Sequence, residues 1–237
     1  MEGRQPDCAL IYTDERRHKA AGKRNVIDYL VCNNKATLLW MINIGCVDVN
    51  PWNSRITSPE YPDYIVIDLD PSEEVRTDQG LKRLRDTGSA TVEYCRTRQL
   101  KIFMKSSGKS GIHVLIPCRG FTYSIARNFA ENICEDIQQL VPEISTTEIS
   151  VSQRRGRVFI DPSQNDYADT IAAPYSVRPY IIPAVSTPIE AKEIGKVDPH
   201  DFTINTIFDR LHRKGDLFEK INDAKLIEGN NRALKKL

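Results

Sequence analysis

Four short runs of aliphatic, β-branched and aromatic residues constrain the fold more than any other feature of the sequence. They read YIVIDLD, KIFMK, IHVLIPC and RVFID. Between them lie longer segments in which apolar residues recur at helical spacing, so strands and helices alternate along the chain. Such alternation is typical of an α/β or α+β fold with a mixed β-sheet.

The N-terminal part of the chain predicts a hairpin followed by a helix. From Ala9 to Cys32, short apolar runs flank the polar turn DERRHKAAGKRN, which is typical of a β-hairpin. The next segment, NNKATLLWMINIG, predicts a helix that Asn33 or Asn34 caps and that Gly45 ends. The apolar stripe of this helix consists of Leu38, Leu39, Trp40 and Ile42.

Two longer helices are predicted further along the chain. The segment DPSEEVRTDQGLKRLRDTGSATVEYCRTRQ is expected to be mostly helical, with an interruption at Gly88. A second helix is expected from Tyr123 to Leu140, because apolar residues recur there at every fourth position. The residues of that stripe are Ile125, Phe129, Ile133 and Ile137.

Composition limits the classes of function. No repeat, low-complexity tract or linker divides the 237 residues, so residues 1–237 are expected to form a single domain. The formal net charge is only +1, so any nucleic-acid surface must be a local patch. The six cysteines lack a CxxC pair, which favours reduced thiols over a zinc site or a disulfide framework. Without a signal peptide or an apolar run near ~18 residues, we expect a soluble, cytoplasmic protein with no membrane partner.

Two aspartates end the first apolar run. Side chains alternate between the faces of a strand, so Asp68 and Asp70 share one face and the isoleucines share the other. Residues so spaced lie roughly 6.5–7 Å apart, which allows both carboxylates to bind one cation or a pair of cations. Taken alone, such a pair before a proline is more often a solvated strand end, so the motif needs further support.

A third carboxylate provides that support. Asp161 ends the run RVFID and, like Asp70, precedes a proline. Two-metal phosphoryl transfer uses cations about 3.5–4 Å apart that share some carboxylate ligands. Since all of these ligands are hard oxygens, the expected metal is Mg²⁺ or Mn²⁺. The simpler alternative is that Asp161 only caps a strand-to-turn junction.

The segment KSSGKSGIHVLIP lies between the acidic strands. It is not a phosphate loop, because Phe103 occupies the position of the first glycine and a strand, not a helix, follows. The turn can still cradle phosphate oxygens with backbone amides and with the hydroxyls of its serines, Ser106, Ser107 and Ser110. His113, on the following strand, is either a phosphate donor or a half-buried structural histidine.

Basic residues surround this turn. Between residues 96 and 127 there is no acidic residue. The basic residues are Arg96, Arg98, Lys101, Lys105, Lys109, Arg119 and Arg127. Such runs are usually solvated faces, but this one brackets a glycine turn between two acidic strand ends. We therefore expect it to attract a triphosphate and a DNA backbone.

Taken together, the motifs resemble a known family. In order and spacing, PDYIVIDLDP, SSGKSGIHVLIP and RRGRVFIDPSQNDYADTIAAPYSVR resemble the three catalytic motifs of the polymerase domain of bacterial and archaeal ligase D. The flanking segments ATLLWMINIGCVDVNPWNSR, VSTPIE and FDRLHRKGDLFEKI are similar too, so the resemblance covers roughly residues 26–221. That domain belongs to the archaeo-eukaryotic primase superfamily and serves non-homologous end joining. The resemblance implies a primase–polymerase fold, in which helices flank an RNA-recognition-like catalytic module.

The resemblance also implies an activity and its residues. The expected activity is template-directed addition of nucleotides, preferably ribonucleotides, to DNA ends with Mn²⁺ or Mg²⁺. The residues that match the catalytic, metal-binding aspartates are Asp68, Asp70 and Asp161. Those that match nucleotide-binding groups are Ser107, His113, Gln164 and Arg178, with Lys109 as a further candidate. Expected partners are primer–template or gapped DNA ends at the nucleoid, an NTP or dNTP, a DNA ligase and an end-binding protein.

Two departures from the family pattern affect these expectations. In many relatives the second-motif lysine stands one residue later, where this chain has Ser110. The family domain usually begins several tens of residues upstream, in a segment that recognises a 5′-phosphate. We therefore expect an N-terminally truncated member, in which residues 1–25 match weakly and residues 222–237 form a C-terminal tail.

Two other functions use the same residues. One is a DNA-end binding or bridging module without catalysis, which the missing upstream segment favours and the three retained aspartates disfavour. The other is a primase that makes RNA primers on an unprimed template. Trp40 lies in an apolar stripe and is expected in a core, whereas Trp52 is compatible with either a core residue or a base-stacking platform.

Overall fold

The computed structural model describes residues 9–14, 26–71, 77–179 and 183–237. The chain forms two compact units, Met1–Val47 and Asp48–Leu237. No helix in the described ranges is both long enough and apolar enough to cross a membrane. Five cysteines in these ranges are free thiols, and Cys8 lies outside them.

The smaller unit contains a hairpin and a helix. Strands β1 (Leu10–Asp14) and β2 (Ile27–Val31) pair antiparallel, which confirms the predicted hairpin, although residues 15–25 of its turn lie outside the described ranges. Helix α1 (Lys35–Asn43) begins after Asn34, whose side chain accepts a 2.9 Å hydrogen bond from the Thr37 amide. Three residues of the predicted apolar stripe, Leu38, Leu39 and Ile42, are 43–57% exposed, so the stripe is not a buried face.

The larger unit is a mixed α/β structure. Its strands are β3 (Ser54–Arg55), β4 (Ser58–Pro62), β5 (Tyr64–Pro71), β6 (Phe103–Ser106), β7 (Ile112–Pro117), β8 (Ser145–Thr146), β9 (Val158–Asp161), β10 (Val177–Arg178), β11 (Ala184–Val185) and β12 (Pro188–Ile189). Its helices are α2 (Asp78–Thr97), α3 (Tyr123–Leu140), α4 (Val151–Arg154), α5 (Ile207–Lys214) and α6 (Ala224–Leu234). The predicted class and the four predicted strand runs are confirmed.

A six-stranded sheet is the centre of this unit. Its order is β12-β6-β7-β5-β9-β8, and among these neighbours only β8 and β9 run parallel. Ile65, Ile67 and Leu69 of β5 are fully buried in the same core as residues of α2 and α3. Because strand side chains alternate, the even-numbered residues of β5 lie on the opposite face of the sheet.

Helix α3 has the predicted bounds, and Ile133 and Ile137 of the predicted stripe are buried, with Phe129 packed against the core. Its buried residues are Tyr123, Ala126, Ala130, Ile133, Cys134 and Ile137. Ile125, at the start of the predicted stripe, is 43% exposed. An α-helix has 3.6 residues per turn, so a strict four-residue repeat winds around it. Two small residues, Ala126 and Ala130, are fully buried on the face that packs into the core.

Helix α2 is continuous through Gly88, so the predicted interruption is wrong. A β-carbon at this position would lie 2.6 Å from Cγ1 of Ile194. Gly88 therefore allows a close approach to a neighbouring segment and does not break the helix. Thr77 caps the helix by accepting a hydrogen bond from the Gly80 amide at 3.1 Å, and residues 72–76 lie outside the described ranges.

Candidate active site

Four polar side chains form one row across the central sheet. Asp68 on β5 is paired directly with Asp161 on β9 and with His113 on β7, and His113 is paired with Lys105 on β6. Directly paired residues share a face of the sheet, so these four side chains project from the face opposite the helical core. We call them the site row, and Asp70 lies on the same face two residues beyond Asp68.

The carboxylates of the site repel one another. Burial raises the pKa of Asp68 to about 7, and the charges of Asp70 and Asp161 contribute to the increase. Burial also raises the pKa of Asp70, although the charges of Arg154 and Lys109 oppose this shift. A bound divalent cation would relieve this repulsion, so the charges and the hard oxygen donors both fit Mg²⁺ or Mn²⁺.

The acidic side chains are not preassembled into a coordination shell. Across the described part of the chain, no three His, Cys, Asp or Glu side chains are grouped closely enough to hold a metal ion. Asp161 is oriented by its own turn, since its Oδ1 accepts a 2.7 Å hydrogen bond from the Ser163 amide. Metal binding by the three predicted aspartates therefore stays a prediction, one that requires their side chains to move closer together.

The serine–glycine turn, residues 107–111, packs against the acidic strand. The Ser107 amide donates to the Gly111 carbonyl at 2.9 Å, and Ser107 Oγ accepts from the amides of Lys109 and Gly111 at 3.1 and 3.0 Å. A β-carbon on Gly111 would lie 2.7 Å from the Leu69 carbonyl oxygen. The turn leads into strand β7 and not into a helix, as predicted. In both of its bonds with Lys109 and Gly111, Ser107 Oγ is the acceptor, so its hydroxyl proton can be donated to a ligand.

Ser106 has a structural role and does not face the site. Its Oγ donates to the Val185 carbonyl at 3.0 Å and accepts from the Thr187 amide at 2.9 Å. It is fully buried between β6 and the segment that leads to β12. The predicted phosphate contact by Ser106 is therefore wrong, because both hydrogen bonds hold the sheet edge together.

His113 and Lys105 are buried side by side. Lys105 Nζ lies 2.6 Å from His113 Nδ1 and 2.9 Å from Ser186 Oγ, and His113 Nε2 lies 3.6 Å from Asp68 Oδ1. Burial lowers the pKa of Lys105 to about 7 and lowers the pKa of His113 well below its ordinary range. Burial and the neighbouring charges of Lys105 and Arg178 therefore favour the neutral imidazole of His113.

The remaining predicted residues border the site. Arg178 on β10 donates from Nη1 to Asp48 Oδ1 at 3.2 Å and to Asn50 Oδ1 at 3.0 Å. Gly108 has φ +76°, and a β-carbon there would lie 2.4 Å from Arg178 Cγ, so the turn also contacts the stem of this arginine. Lys109 is exposed on the turn.

Gln164 lies in a 3₁₀ turn, Ser163–Asn165, directly after β9. Its backbone carbonyl accepts a 2.7 Å hydrogen bond from Asn53 Nδ2, and its side chain is half-buried. The neighbouring Asn165 holds this turn to β5, because its side chain accepts from the Val66 amide at 2.8 Å and donates to the Val66 carbonyl at 2.7 Å. The sequence analysis missed Asn165, since a single asparagine after a strand carries no distinctive signal.

Arg154 was also missed. It is only 8% exposed, and its Nε and Nη2 donate to the carbonyls of Glu148 and Ile149 at 3.0 and 2.9 Å. Its Cζ lies 3.8 Å from the centroid of the Phe159 ring, and its Nη1 lies 3.9 Å from Asp70 Oδ2. The basic letters RRGR at the start of the third motif are the one sequence signal that could have pointed to it.

The predicted basic run does not form one surface. Most of its arginines pair with acids elsewhere: Arg96 with Glu93, Arg98 with Asp136, Arg119 with Asp63, and Arg127 with Glu131 and Asp166. The run extends from the end of α2 through β6 and β7 to the start of α3, so its members are spread over four elements. Lys105 and Lys109 are the members whose charges act on the site carboxylates. Trp52 packs edge-on against Tyr167, with ring centroids 5.2 Å apart.

A mixed sheet with helices on one face, and acids beside a serine–glycine turn on the other, defines a domain of the primase–polymerase class. The polymerase domain of Mycobacterium tuberculosis ligase D, solved in complex with DNA, has this fold. It superposes with a TM-score of 0.79 over 92% of this chain and 76% of that chain, at 24% sequence identity.

Sequence comparison gives the family. A sequence model described as LigD, primase-polymerase domain, matches residues 6–218, so this chain belongs to the LigD primase-polymerase domain family. The bifunctional non-homologous end joining protein LigD of Bacillus subtilis is 32% identical over 197 residues, which cover 79% of this chain and 30% of that protein. The multifunctional LigD of Mycolicibacterium smegmatis is 27% identical over 203 residues, 84% of this chain and 26% of that protein. The chain thus spans less than a third of the length of these relatives.

Proposed function

We propose that this chain is a metal-dependent nucleotidyl transferase that adds nucleotides to DNA ends during non-homologous end joining. The main support is the strand register that pairs Asp68 with Asp161 beside the turn 107–111. Family membership supports the reaction class. The names of the relatives support a role in end joining, and the DNA in the structure of the M. tuberculosis domain supports DNA as the partner.

The proposed roles follow from position and chemistry. Asp68, Asp70 and Asp161 would hold Mn²⁺ or Mg²⁺, which when bound activates the attacking 3′-hydroxyl and neutralises the pyrophosphate leaving group. Ser107 and His113 would donate hydrogen bonds to the triphosphate. Lys109 and Arg178 would supply positive charge, and Gln164 would contact the nucleotide. Positioning and charge stabilisation provide most of the catalysis in phosphoryl transfer, so these side chains need no covalent role.

A primer-extension assay tests the proposal. Purified chain is incubated with a labelled primer–template, Mn²⁺ or Mg²⁺, and either NTPs or dNTPs. We expect extension that is lost in Asp68→Ala and retained in Asp86→Asn, a control on the outer surface of α2. Ribonucleotide preference would appear as faster extension with NTPs.

The same assay separates the alternative functions. DNA that is retarded on a gel but is not extended with any metal would indicate a DNA-end binding or bridging module. Products on an unprimed template would indicate a primase. A stimulation of extension by a DNA ligase or an end-binding protein would support the proposed partnership of this chain with those proteins.

A further inference from the structure

We propose that Lys105 is a positioning residue that fixes the tautomer of His113, so that the imidazole presents Nε2–H towards the acidic end of the site row. The proposed effect on nucleotide binding rests on the proposed function. The tautomer itself is a property of the protein alone.

Lys105 is an unusual residue for this position. Its side chain is fully buried, and both of its hydrogen-bond partners, His113 and Ser186, are uncharged groups. Burying an amine carries a large desolvation cost, whereas an apolar side chain of similar length would incur no such penalty. A packing role alone therefore does not account for a lysine here, and its contacts point to a polar function.

The hydrogen-bond direction is fixed on the Ser186 side. Ser186 Oγ donates its only proton to the Ser106 carbonyl at 2.8 Å. Its contact with Lys105 Nζ at 2.9 Å must therefore be one in which the lysine donates. The same hydroxyl thus anchors the amine beside the histidine ring and keeps Nζ at 2.6 Å from Nδ1.

The histidine ring is constrained at both nitrogens. A charged Lys105 has only donors, so it requires Nδ1 to be an unprotonated acceptor. On the opposite side, Nε2 lies 3.6 Å from Asp68 Oδ1. A proton on Nε2 is attracted to this carboxylate, whereas a lone pair there would face carboxylate oxygens and be repelled. An uncharged Lys105 can still donate to Nδ1. The Asp68 contact favours the same tautomer, but at 3.6 Å it is longer than a hydrogen bond, so the 2.6 Å contact with Lys105 decides the tautomer.

The tautomer decides whether His113 offers a hydrogen-bond donor or a hydrogen-bond acceptor to a bound phosphate. With the proton on Nε2, the ring is a hydrogen-bond donor on the side of the acids, where an anionic phosphate would be held. With the proton on Nδ1, the ring would present a lone pair to the same phosphate. Loss of one such hydrogen bond corresponds to roughly 2- to 10-fold weaker nucleotide binding.

The first test needs neither nucleotide nor catalysis. Protein labelled with ¹⁵N-histidine is studied by NMR, with the His113 signals assigned by their disappearance in His113→Gln. We expect a protonated, pyrrole-type Nε2 and an unprotonated, pyridine-type Nδ1 in the wild-type protein, and a shift towards the Nδ1–H form in Lys105→Met. A wild-type ring protonated on Nδ1 overturns the proposal, even if the variant fails to fold, and so does an unchanged Nε2–H tautomer in a folded Lys105→Met variant.

The second test separates positioning from a structural effect. Nucleotide affinity in the presence of Mn²⁺ is measured for Lys105→Met, His113→Ala and the double variant, with the exposed Lys101→Met as a matched control. If Lys105 acts through His113, its replacement weakens binding in the wild-type background and has little further effect beside His113→Ala. Equal losses in both backgrounds would overturn the proposal. A chain with no nucleotide affinity would refute the proposed function, while the NMR result would still decide the tautomer.

Discussion

Asp68 and Asp161 face each other directly in the antiparallel pairing of β5 and β9, although 93 positions separate them in the sequence. Within the described ranges, no lysine or arginine lies at ion-pair distance from either carboxylate, and burial together with the charges of Asp70 and Asp161 raises the pKa of Asp68 to about 7. Carboxylates that are partly buried and repel one another are expected at a site where a bound cation compensates their negative charge.

The first prediction concerns these two carboxylates. Asp68→Asn and Asp161→Asn keep the shape of the side chains but remove the charge, so each should reduce primer extension by at least about 100-fold. Wild-type protein should also melt at a higher temperature with Mn²⁺ than with a chelator, since a ligand of the native state stabilises it. Both variants should lose this Mn²⁺-dependent increase. An unchanged increase in both would show that the metal binds elsewhere.

The second prediction concerns the contact between the turn 107–111 and β5. In Gly111→Ala, the new β-carbon would lie 2.7 Å from a backbone oxygen of Leu69, so the turn must shift. We expect a loss of about 1–3 kcal/mol in the free energy of unfolding, together with reduced extension. The control is Gly195→Ala, where no atom lies within 4 Å of the added carbon. Urea unfolding of both variants measures the difference, and equal stabilities would contradict the predicted contact.

The sequence predicted the face of each strand better than the partners of each side chain. Alternation along YIVIDLD was enough to place Asp68 and Asp70 on one face and the isoleucines in the core, because the period of a strand is fixed. Helix α3 was bounded correctly and the end of its stripe, Ile133 and Ile137, is buried, but Ile125 is exposed and the buried alanines Ala126 and Ala130 were missed because a four-residue repeat winds around the helix.

Long-range contacts account for most of the errors. Lys105 was assigned to a basic run that was expected to attract a triphosphate and DNA, yet it is fully buried, and one of its partners is Ser186, 81 residues later in the chain. Gly88 was expected to break α2, but its role depends on Ile194, which approaches from a distant segment. Arg154 is an exception, because the two carbonyls and the aromatic ring that hold it lie within six residues of it in the sequence.

The third prediction concerns Asn165, which holds the turn after β9 to the acidic strand. Replacing it by alanine leaves the buried amide and carbonyl of Val66 without their side-chain partner. We expect the free energy of unfolding to fall by about 2–4 kcal/mol, since each unsatisfied buried group costs about 1–3 kcal/mol.

A matched control exists on the surface of the protein. Asn231 bonds to the backbone of Arg119 with the same pattern, accepting from its amide at 3.3 Å and donating to its carbonyl at 2.9 Å, but at an exposed position. Water can replace that side chain, so Asn231→Ala should cost less than about 1 kcal/mol. If the two variants lose the same stability in urea unfolding, burial is not the reason for the importance of Asn165.

The fourth prediction concerns pH and the ion pair between Glu193 and Arg210. Arg210 Nη2 lies 2.6 Å from Glu193 Oε2, and both side chains are less than a third exposed. Partial burial by itself raises the pKa of Glu193, but hydrogen bonds from Arg210 and from the Glu190 amide outweigh it and lower the pKa to about 2. Because the folded-state pKa is below the unfolded value, the pair stabilises the protein fully above about pH 5, and this contribution is lost as the pH falls towards 2.

The difference in unfolding free energy between wild type and Glu193→Gln measures this contribution. We expect this free-energy difference to be about 1–2 kcal/mol at pH 7 and near zero at about pH 2. The value at pH 7 is smaller than the full pKa difference would give, because solvent reaches the pair and screens it. Glu228→Gln is the control, since its pair with Arg232 is exposed on α6 and should contribute less than about 0.5 kcal/mol. A difference that stays constant from pH 7 to pH 2 would mean that packing of Glu193, and not its charge, stabilises this part of the fold.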